Sequence, residues 1–271
     1  LAENVYACED FRYKPEWVSR IPSADYPLQV ADSLFLNKEF CREVVKQIVE
    51  APLKGKSYRY SCLNFMLLKE MVEKITGTPM DVYLDSVFYS PMGLRHTTFQ
   101  PLHKFKKEQL VPSVEKDLLR GGPLQGFVQD EAAAFMGGVS GNAGLFSTAH
   151  DVARIAQMWL DKGICGDRRY LSRATCELFT TLKSRSSRRG LGFDKPDVER
   201  PENSPCTPEA PASVFGHTGY TGTCVWVDPD NELVFVFLSN RTYPSALGPN
   251  NLVKYNIRTR MQQVMYQSII R

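Results

Sequence analysis

The strongest constraint on the fold is a run of alternating residues near the end of the chain. In "GTCVWVD" (222–228), the β-branched residues Thr223, Val225 and Val227 occupy every second position, a period that is typical of a β-strand. The short linker "DPDN" (228–231) joins this run to a second apolar run. Such a connection predicts a hairpin of two antiparallel strands, 213–228 and 232–240.

Helical spacing predominates elsewhere in the chain. Helices are predicted at 37–50, 63–77, 78–88, after Thr148, at 171–182 and at 250–271. In the strongest of them, 63–77, the core-facing residues are expected to be Phe65, Leu68, Met71, Val72 and Ile75. In the last one they are Ile257, Met261, Val264 and Ser268. Residues 1–36, 90–130 and 194–213 are predicted to be loops, the last at the surface.

This order favours an α+β layer fold, because helices are separated along the chain from antiparallel strands. We predict a single domain over 1–271, with a helical and loop region at about 37–185 and the hairpin with its closing helix at about 186–271.

Composition excludes several classes of function. The 271 residues are 43% apolar and carry a formal net charge of +3, too small a bias to indicate a nucleic-acid partner. The densest basic segment, "KSRSSRRG" (183–190), is typical of a solvated loop, and no apolar run reaches the length of a membrane span. The seven cysteines include no C-x-x-C pair and the four histidines are not grouped with acids, so neither a metal site nor a cofactor is predicted.

Two short segments stand out as candidate site residues. "YRYSCLNF" (58–65) places Tyr60 and Cys62 in the turn before the strongest helix, and "FGHTGYTGT" (215–223) carries His217 among three glycines. Taken singly, Tyr60 is more often a half-buried aromatic and His217 a structural residue. A Cys62–His217 hydrolytic couple has no support beyond residue type.

Together these segments resemble the second and third motifs of the serine β-lactamase and penicillin-binding-protein superfamily. The second motif there is Y-x-N or Y-S-D, here "YSC", and the third is K-T-G or H-T-G, here "HTG" (217–219). "GVSGNAG" (138–144) with "LFSTAHDVARIAQMW", and "GLGF" (190–193), extend the resemblance from about residue 30 to the end. "SRRGLGFDKP" and "FLSNRTYP" are similar to the hydrolase domain fused to bacterial family-three glycoside hydrolases that act on N-acetylglucosaminides.

The resemblance implies a role for each motif position. Tyr60 is the base or proton relay, His217, Thr218 and Gly219 line the edge strand that binds substrate, and the Tyr220 N–H donates to the oxyanion. The substrate lies along this strand like an added strand, and Gly219 and Gly222 leave room for its backbone. Cys62 occupies the position of the polar Asn or Asp but is a poor hydrogen-bond donor.

The superfamily's first motif, S-x-x-K on a buried helix, has no counterpart before Tyr60. "SVEK" (113–116) is the single match, and it falls in a predicted loop. We therefore expect a fragment without its nucleophile, N-terminal strands and nucleophile helix, which is consistent with a start, "LAENVYACED", that lacks Met. As such it is inactive by this mechanism. The alternative is a non-catalytic module that binds peptidoglycan fragments or docks a glycosidase.

The resemblance also implies partners. The substrate is a small molecule or a peptidoglycan-derived peptide, a glycosidase domain precedes the chain, and the protein resides in the bacterial periplasm or cell envelope. A sheet without its first strands has an uncovered edge, so a homodimer that covers the edge is expected.

Overall fold

The computed structural model describes residues 15–52, 58–181 and 187–269. Two compact units are present. The first comprises the described residues up to Pro91, with His96–Phe146 and Thr242–Ala246. The second comprises Met92–Arg95, Ser147–Arg241 and the described residues from Leu247 onward.

The first unit is mainly helical, with two small antiparallel sheets. Its strands are β1 Val18–Ser19, β2 Leu28–Ala31, β3 Leu34–Leu36, β4 Pro112–Val114 and β5 Leu124–Gln125, with β1 and β2 on either side of β3 and with β4 paired to β5. Its helices are α1 Phe40–Glu50, α2 Leu63–Thr76, α3 Met80–Leu84 with a π-helical turn at Asp85–Tyr89, and α4 Glu131–Phe135. The strands before α1 correct the prediction of an extended loop over 1–36, as far as that segment is described.

Helix α1 buries its apolar residues, but α2 does not bury the face predicted for it. Phe40, Val44 and Ile48 of α1 are buried together with Leu63 and Met66 of α2 in one core. The predicted inward face of α2 is largely exposed, with Leu68, Met71 and Ile75 at 46%, 54% and 80%.

A polar network explains the orientation of α2. Lys69 Nζ lies 2.7 Å from the Glu73 carboxylate, and Glu73 also accepts a hydrogen bond of 3.0 Å from the Met80 N–H at the start of α3. This network fixes the face that packs against the next helix. Gly77 ends the helix with φ of +66°, in the left-handed region that glycine tolerates.

The second unit contains a three-stranded antiparallel sheet with a helix on each face, and a separate two-stranded sheet, β6–β7. Its strands are β6 Ile164–Cys165, β7 Arg168–Arg169, β8 Phe215–Thr218, β9 Cys224–Asp228 and β10 Leu233–Phe237. Its helices are α5 Ala149–Leu160, α6 Arg173–Thr180, α7 Asn251–Lys254 and α8 Ile257–Gln267. The main sheet has the order β10–β9–β8. The side chains of α5 pack with Phe215 and Val227, whereas Tyr266 of α8 packs with the core around Trp226 on the other face.

The predicted hairpin is confirmed, with one change. Strand β10 pairs antiparallel to β9, with Leu233 opposite Asp228. The predicted strand 213–228 is divided by a turn in which the Gly219 N–H donates to the Thr223 carbonyl at 2.7 Å. Gly222 has φ of +105°, and a Cβ there would overlap the side chain of Ser239. Gly222 is therefore required by the turn itself.

Helix α8 also presents a face other than the predicted one. Met261 and Val264 are exposed, whereas Gln262 is buried and accepts a hydrogen bond of 2.9 Å from the Thr207 N–H. Tyr266 donates to the Asp228 carboxylate at 2.6 Å. Polar side chains thus hold the helix against the sheet.

Several predicted boundaries shift. Helix α5 packs on the sheet and belongs to the second unit, although the sequence grouped it with the helical region 37–185. The predicted surface loop 194–213 carries buried residues, Asp194, Cys206 and Thr207. The longest described helix, α2, has 14 residues, and no helix in the described part of the chain is long and apolar enough to cross a bilayer.

Candidate functional site

Tyr60 and Cys62 lie together in the first unit. Tyr60 lies in an irregular segment and is 55% exposed, and Cys62 is the N-cap residue of α2. The side chains of Tyr60 and Asn142 lie beside the Cys62 thiol, and each lowers its pKa. The turn before the helix therefore brings the two predicted residues into contact, and it adds a third that the sequence did not single out.

Asn142 is held from two further sides. Its Oδ1 accepts from Ser140 Oγ at 2.6 Å, and its Nδ2 donates to Asp130 Oδ1 at 3.0 Å. Asp130 also caps α4 by accepting from the Ala133 N–H at 2.8 Å. The Asn142 amide thus has a fixed position and a fixed orientation beside Cys62.

Gly141 allows this loop to approach α2. A Cβ at Gly141 would overlap the Phe65 carbonyl oxygen and lie 2.9 Å from the Phe65 carbonyl carbon. Only glycine permits backbone contact this close. Glycine is therefore required at position 141 of "SGN" (140–142), because it lets the loop bring Asn142 close to the first turn of α2.

The electrostatics of Cys62 disfavour a thiolate. Burial raises the pKa of the Cys62 thiol, and the nearby Asp130 carboxylate raises it further. The thiolate is the reactive form of cysteine, so this environment argues against Cys62 as a nucleophile.

A buried ion pair supports the segment that carries Asp130. Arg120 and Asp117 are 1% and 4% exposed and lie 3.0 Å apart. Arg120 also donates to the carbonyls of Val128 and Gln129, at 2.6 and 2.7 Å. This arginine therefore positions the chain immediately before Asp130. Sequence reasoning missed Asp130, although Asp before "EAAAF" is a recognisable N-cap signal.

His217, Thr218, Gly219 and Tyr220 lie in the second unit, at the end of β8. The His217 ring has a partner at both nitrogens: Nε2 lies 2.7 Å from Arg189 Nη1, and Nδ1 lies 2.7 Å from the Thr218 carbonyl. The pKa of His217 is lowered, chiefly by burial and to a lesser extent by Arg189 and Arg188, and this outweighs the raising effects of the Thr218 carbonyl and Asp194. A ring expected to face substrate is thus engaged by groups of its own chain.

The arginines of this cluster come from the segment predicted to be a solvated loop, 183–190. Residues 183–186 lie outside the described residues. Arg188 binds the Asp194 carboxylate through Nε and Nη2 at 2.7 and 2.9 Å, and Arg189 binds it through Nη2 at 2.9 Å. Because Asp194 is 2% exposed, the two arginines form ion pairs with a buried carboxylate and do not lie in a solvated loop.

Tyr220 and Gly219 lie in the turn that follows β8. The Tyr220 ring is exposed beneath the Arg241 guanidinium, 4.1 Å from it, and the Tyr220 carbonyl accepts from Arg241 Nε at 2.6 Å. The Gly219 carbonyl accepts from Arg258 Nη1 at 3.1 Å. A Cβ at Gly219 would overlap the Thr223 hydroxyl, so the Thr223 side chain would have to move to admit it.

Two other candidate sites can be assessed. In the S-x-x-K match at 113–116, Ser113 lies on strand β4, and its carbonyl accepts from Thr242 Oγ1 at 2.8 Å. The match therefore lacks the helix turn that would place the lysine beside the serine. Among residues 15–52, 58–181 and 187–269, no three His, Cys, Asp or Glu side chains form a group that could hold a metal ion.

The antiparallel sheet with a helix on each face, the helical unit and the two motifs define the β-lactamase and transpeptidase-like class of α+β hydrolases. A structure of a β-lactamase from Mycobacterium bovis is similar, with a TM-score of 0.52, 17% identity and coverage of 97% of this chain and 83% of that one. A penicillin-binding-protein homologue from Caulobacter crescentus has a TM-score of 0.52 and 17% identity, with 88% of this chain and 70% of that one covered.

Residues 14–254 match the family model named Beta-lactamase, and the chain belongs to that family. It is 35% identical over 226 residues to the Escherichia coli (strain K12) protein named "Putative D-alanyl-D-alanine carboxypeptidase", covering 76% of this chain and 51% of the relative. It is 34% identical over 222 residues to the N-acetylmuramyl-L-alanine amidase of Bacillus subtilis (strain 168), covering 76% and 50%. The chain thus spans about half the length of these relatives.

Proposed function

We propose that this chain supplies the second and third motifs of a serine hydrolase that cleaves an amide or ester through an acyl-enzyme, with a D-amino-acid peptide of peptidoglycan as the preferred substrate class. The observation that carries the proposal is the outer edge of β8, where "HTG" lies. Gly216 exchanges both backbone hydrogen bonds with Asp194 on the outer side, at 2.7 and 3.0 Å. Thr218, two residues on, directs its backbone groups to the same side, where an extended substrate can align.

The first unit supplies the proton-transfer residues of the proposed reaction. Tyr60 serves as the proton relay, because its exposed phenol lies at the start of α2 as in the Y-x-N motif. Asn142 offers a carboxamide next to Cys62. That amide provides a strong hydrogen-bond donor, which the thiol of Cys62, at the last position of the second motif, is not.

The substrate class is supported by the printed names of the relatives, which refer to D-alanyl-D-alanine and to N-acetylmuramyl-L-alanine. Lactams and esters are the alternatives within the same chemistry. We also propose a location in the bacterial periplasm or cell envelope, a preceding glycosidase domain and a homodimer that covers the free edge of β10. The order β10–β9–β8 leaves β10 at an edge of the described sheet.

The catalytic serine is proposed to lie outside these 271 residues, because the S-x-x-K match within them is on a strand. A fluorescent penicillin should therefore acylate the whole protein but not the 271-residue chain. Tyr60→Phe in the whole protein should slow acylation by at least about 100-fold, the contribution of a positioned acid or base. Tyr83→Phe, on α3, is the matched control and should leave the rate unchanged.

Serine acylation of the 271-residue chain would overturn this assignment. The second candidate function is a non-catalytic module that binds peptidoglycan fragments, and the observation that favours it is Cys62 at the polar motif position. Reversible binding of muropeptides by the whole protein, without any acyl-enzyme, would establish that alternative.

A further inference from the structure

We propose that a cavity beside α3 and the π-helical turn that follows it binds a primary alkylammonium group. The cavity belongs entirely to the first unit and has a volume of about 260 Å³. Its walls include Asp81, Val82, Asp85, Ser86, Tyr89 and Phe99. None of these residues lies in either motif, so the inference goes beyond the proposed hydrolase and does not depend on it.

Two carboxylates form the polar side of the cavity. Asp81 and Asp85 are four residues apart, and the Asp85 N–H donates to the Asp81 carbonyl, so the two side chains lie on one face, a turn apart. Asp85 Oδ2 accepts one hydrogen bond of 2.9 Å, from the Ser90 hydroxyl. In the part of the chain that the structure describes, no basic side chain pairs with either aspartate. The cavity therefore carries two negative charges that no described residue neutralises.

The phenol of Tyr89 is an independent indication of a ligand. Tyr89 lines the cavity and is 8% exposed, yet its hydroxyl forms no hydrogen bond with any described residue. A buried polar group without a partner is destabilising, and a bound donor would satisfy it. Burial, and to a lesser extent the Asp85 carboxylate, raises the pKa of Tyr89 to about 12. The phenol is therefore neutral at physiological pH, and its oxygen is near the acidic side of the cavity.

The apolar wall favours an organic cation over a metal ion. Phe99 is 8% exposed, and with Val82 and the Tyr89 ring it offers a surface that can pack a hydrocarbon chain but cannot hydrate an ion. Calcium takes about six to eight oxygen ligands, and no three His, Cys, Asp or Glu side chains of the described segments could hold a metal ion together.

The size and the polar groups of the cavity narrow the ligand further. The volume is below the range of about 300–1,000 Å³ that is typical of pockets for drug-sized ligands, so the ligand is small. An ammonium group has three N–H donors, and the cavity offers three acceptors for them, the two carboxylates and the phenol oxygen. A short alkyl chain that ends in an ammonium group meets all of these conditions.

The first test compares pentylammonium with pentanol, a neutral molecule of the same length, through the backbone amide shifts of residues 81–89 in the 271-residue chain. Both should give saturable shifts, and pentylammonium should bind at least about fivefold more tightly at low ionic strength, with a smaller preference at high salt. Equal binding of the two, binding of neither, or saturation of the same amides by calcium chloride at a lower concentration would overturn the proposal.

The second test removes one charge at a time. Asp81→Asn should weaken pentylammonium binding at least about threefold and leave pentanol binding unchanged. The matched control is Asp167→Asn, at an exposed aspartate between β6 and β7, and it should alter neither. If Asp81→Asn weakens both ligands equally, or neither, the carboxylate does not recognise the ammonium group and the proposal is wrong.

The third test separates ligand binding from stability at Tyr89. Tyr89→Phe keeps the ring and removes a hydroxyl that has no described partner, so the urea midpoint should stay the same or rise. Pentylammonium should bind about two- to fivefold more weakly to this variant. A lower midpoint with unchanged affinity would show that the hydroxyl serves the fold and would refute its role in binding.

A last comparison identifies the source of the ammonium group. Nα-acetyl-lysine methylamide carries the group on a peptide unit, whereas pentylammonium is a free amine. Tighter binding of the former would support a lysine side chain as the ligand, and tighter binding of the latter would support a free amine. None of these measurements depends on the formation of an acyl-enzyme, so this inference and the proposed hydrolase can fail separately.

Discussion

Replacement of Gly141 by alanine tests the close contact that places Asn142 beside Cys62. The added Cβ would lie 2.9 Å from the Phe65 carbonyl carbon, against an ordinary contact of at least 3.4 Å, and closer still to the oxygen. The loop must therefore retreat by about 0.5 Å or more, and such overpacking typically costs about 1–3 kcal/mol. Loss of glycine's freedom in the unfolded chain offsets about 0.4–1 kcal/mol of this. We expect Gly141→Ala to be about 1–2 kcal/mol less stable than the wild type.

The matched control is Gly122→Ala, in the same unit. A Cβ at Gly122 meets nothing within 4 Å, and neither glycine has a positive φ. Urea denaturation of both variants should show a lower midpoint for Gly141→Ala, and for Gly122→Ala an unchanged or slightly higher one. The Asn142 side-chain amide resonances should shift only in the former. If the two variants unfold at the same urea concentration, the close-contact argument is wrong.

Three further changes test the rest of the structure. Asp117→Ala leaves the Arg120 charge buried without its partner. The unfolding free energy measured by urea denaturation should fall by about 3–5 kcal/mol, and part of this should be recovered when Arg120→Met is added. A fall below about 1 kcal/mol would contradict the role of the pair. Tyr266→Phe removes a hydrogen bond to the buried Asp228 carboxylate and should lower the unfolding free energy by about 1.5–3 kcal/mol; an unchanged midpoint would mean that α8 is held by other contacts. Burial raises the pKa of the Cys41 thiol from 9.0 to about 11. The contribution of the thiol to stability is therefore complete below pH 9 and declines as pH rises towards 11. Cys41→Ala should reduce the loss of stability over that interval, and equal losses in the variant and the wild type would count against the burial of the thiol.

The sequence predicted the elements of this fold better than their orientation. Alternation and a short linker were sufficient for the β9–β10 hairpin, because both signals are local. In α2 and α8 the apolar periodicity correctly indicated helices but not the packed face. There the orientation depends on polar side-chain contacts, such as Glu73 with the Met80 N–H seven residues on and Tyr266 with the distant Asp228. Periodicity carries no information about such partners.

The residues of the candidate site likewise divide into those with a local sequence signal and those without one. The motif positions at Tyr60, Cys62 and His217 could be found because they have local signatures. Asn142 is 80 positions from Cys62, and Arg189 is 28 from His217, so only the folded backbone brings these pairs into contact. The exchange of the motif's usual asparagine for cysteine was visible in the sequence, but the amide beside that cysteine was not.

The ammonium group of Lys195 is surrounded by three backbone carbonyl oxygens of its own unit. Its Nζ donates to the carbonyls of Thr180, Ser213 and Val214, at 3.1, 3.2 and 3.1 Å, so it ties the end of α6 to the approach to β8. Burial lowers the pKa of Lys195, so this group loses its proton before the neighbouring guanidinium groups lose theirs. In alkali the arginine cluster would then keep its charge but lose its anchor. Alkali should therefore loosen the link between the end of α6 and β8 before it changes the charge of Arg188 or Arg189.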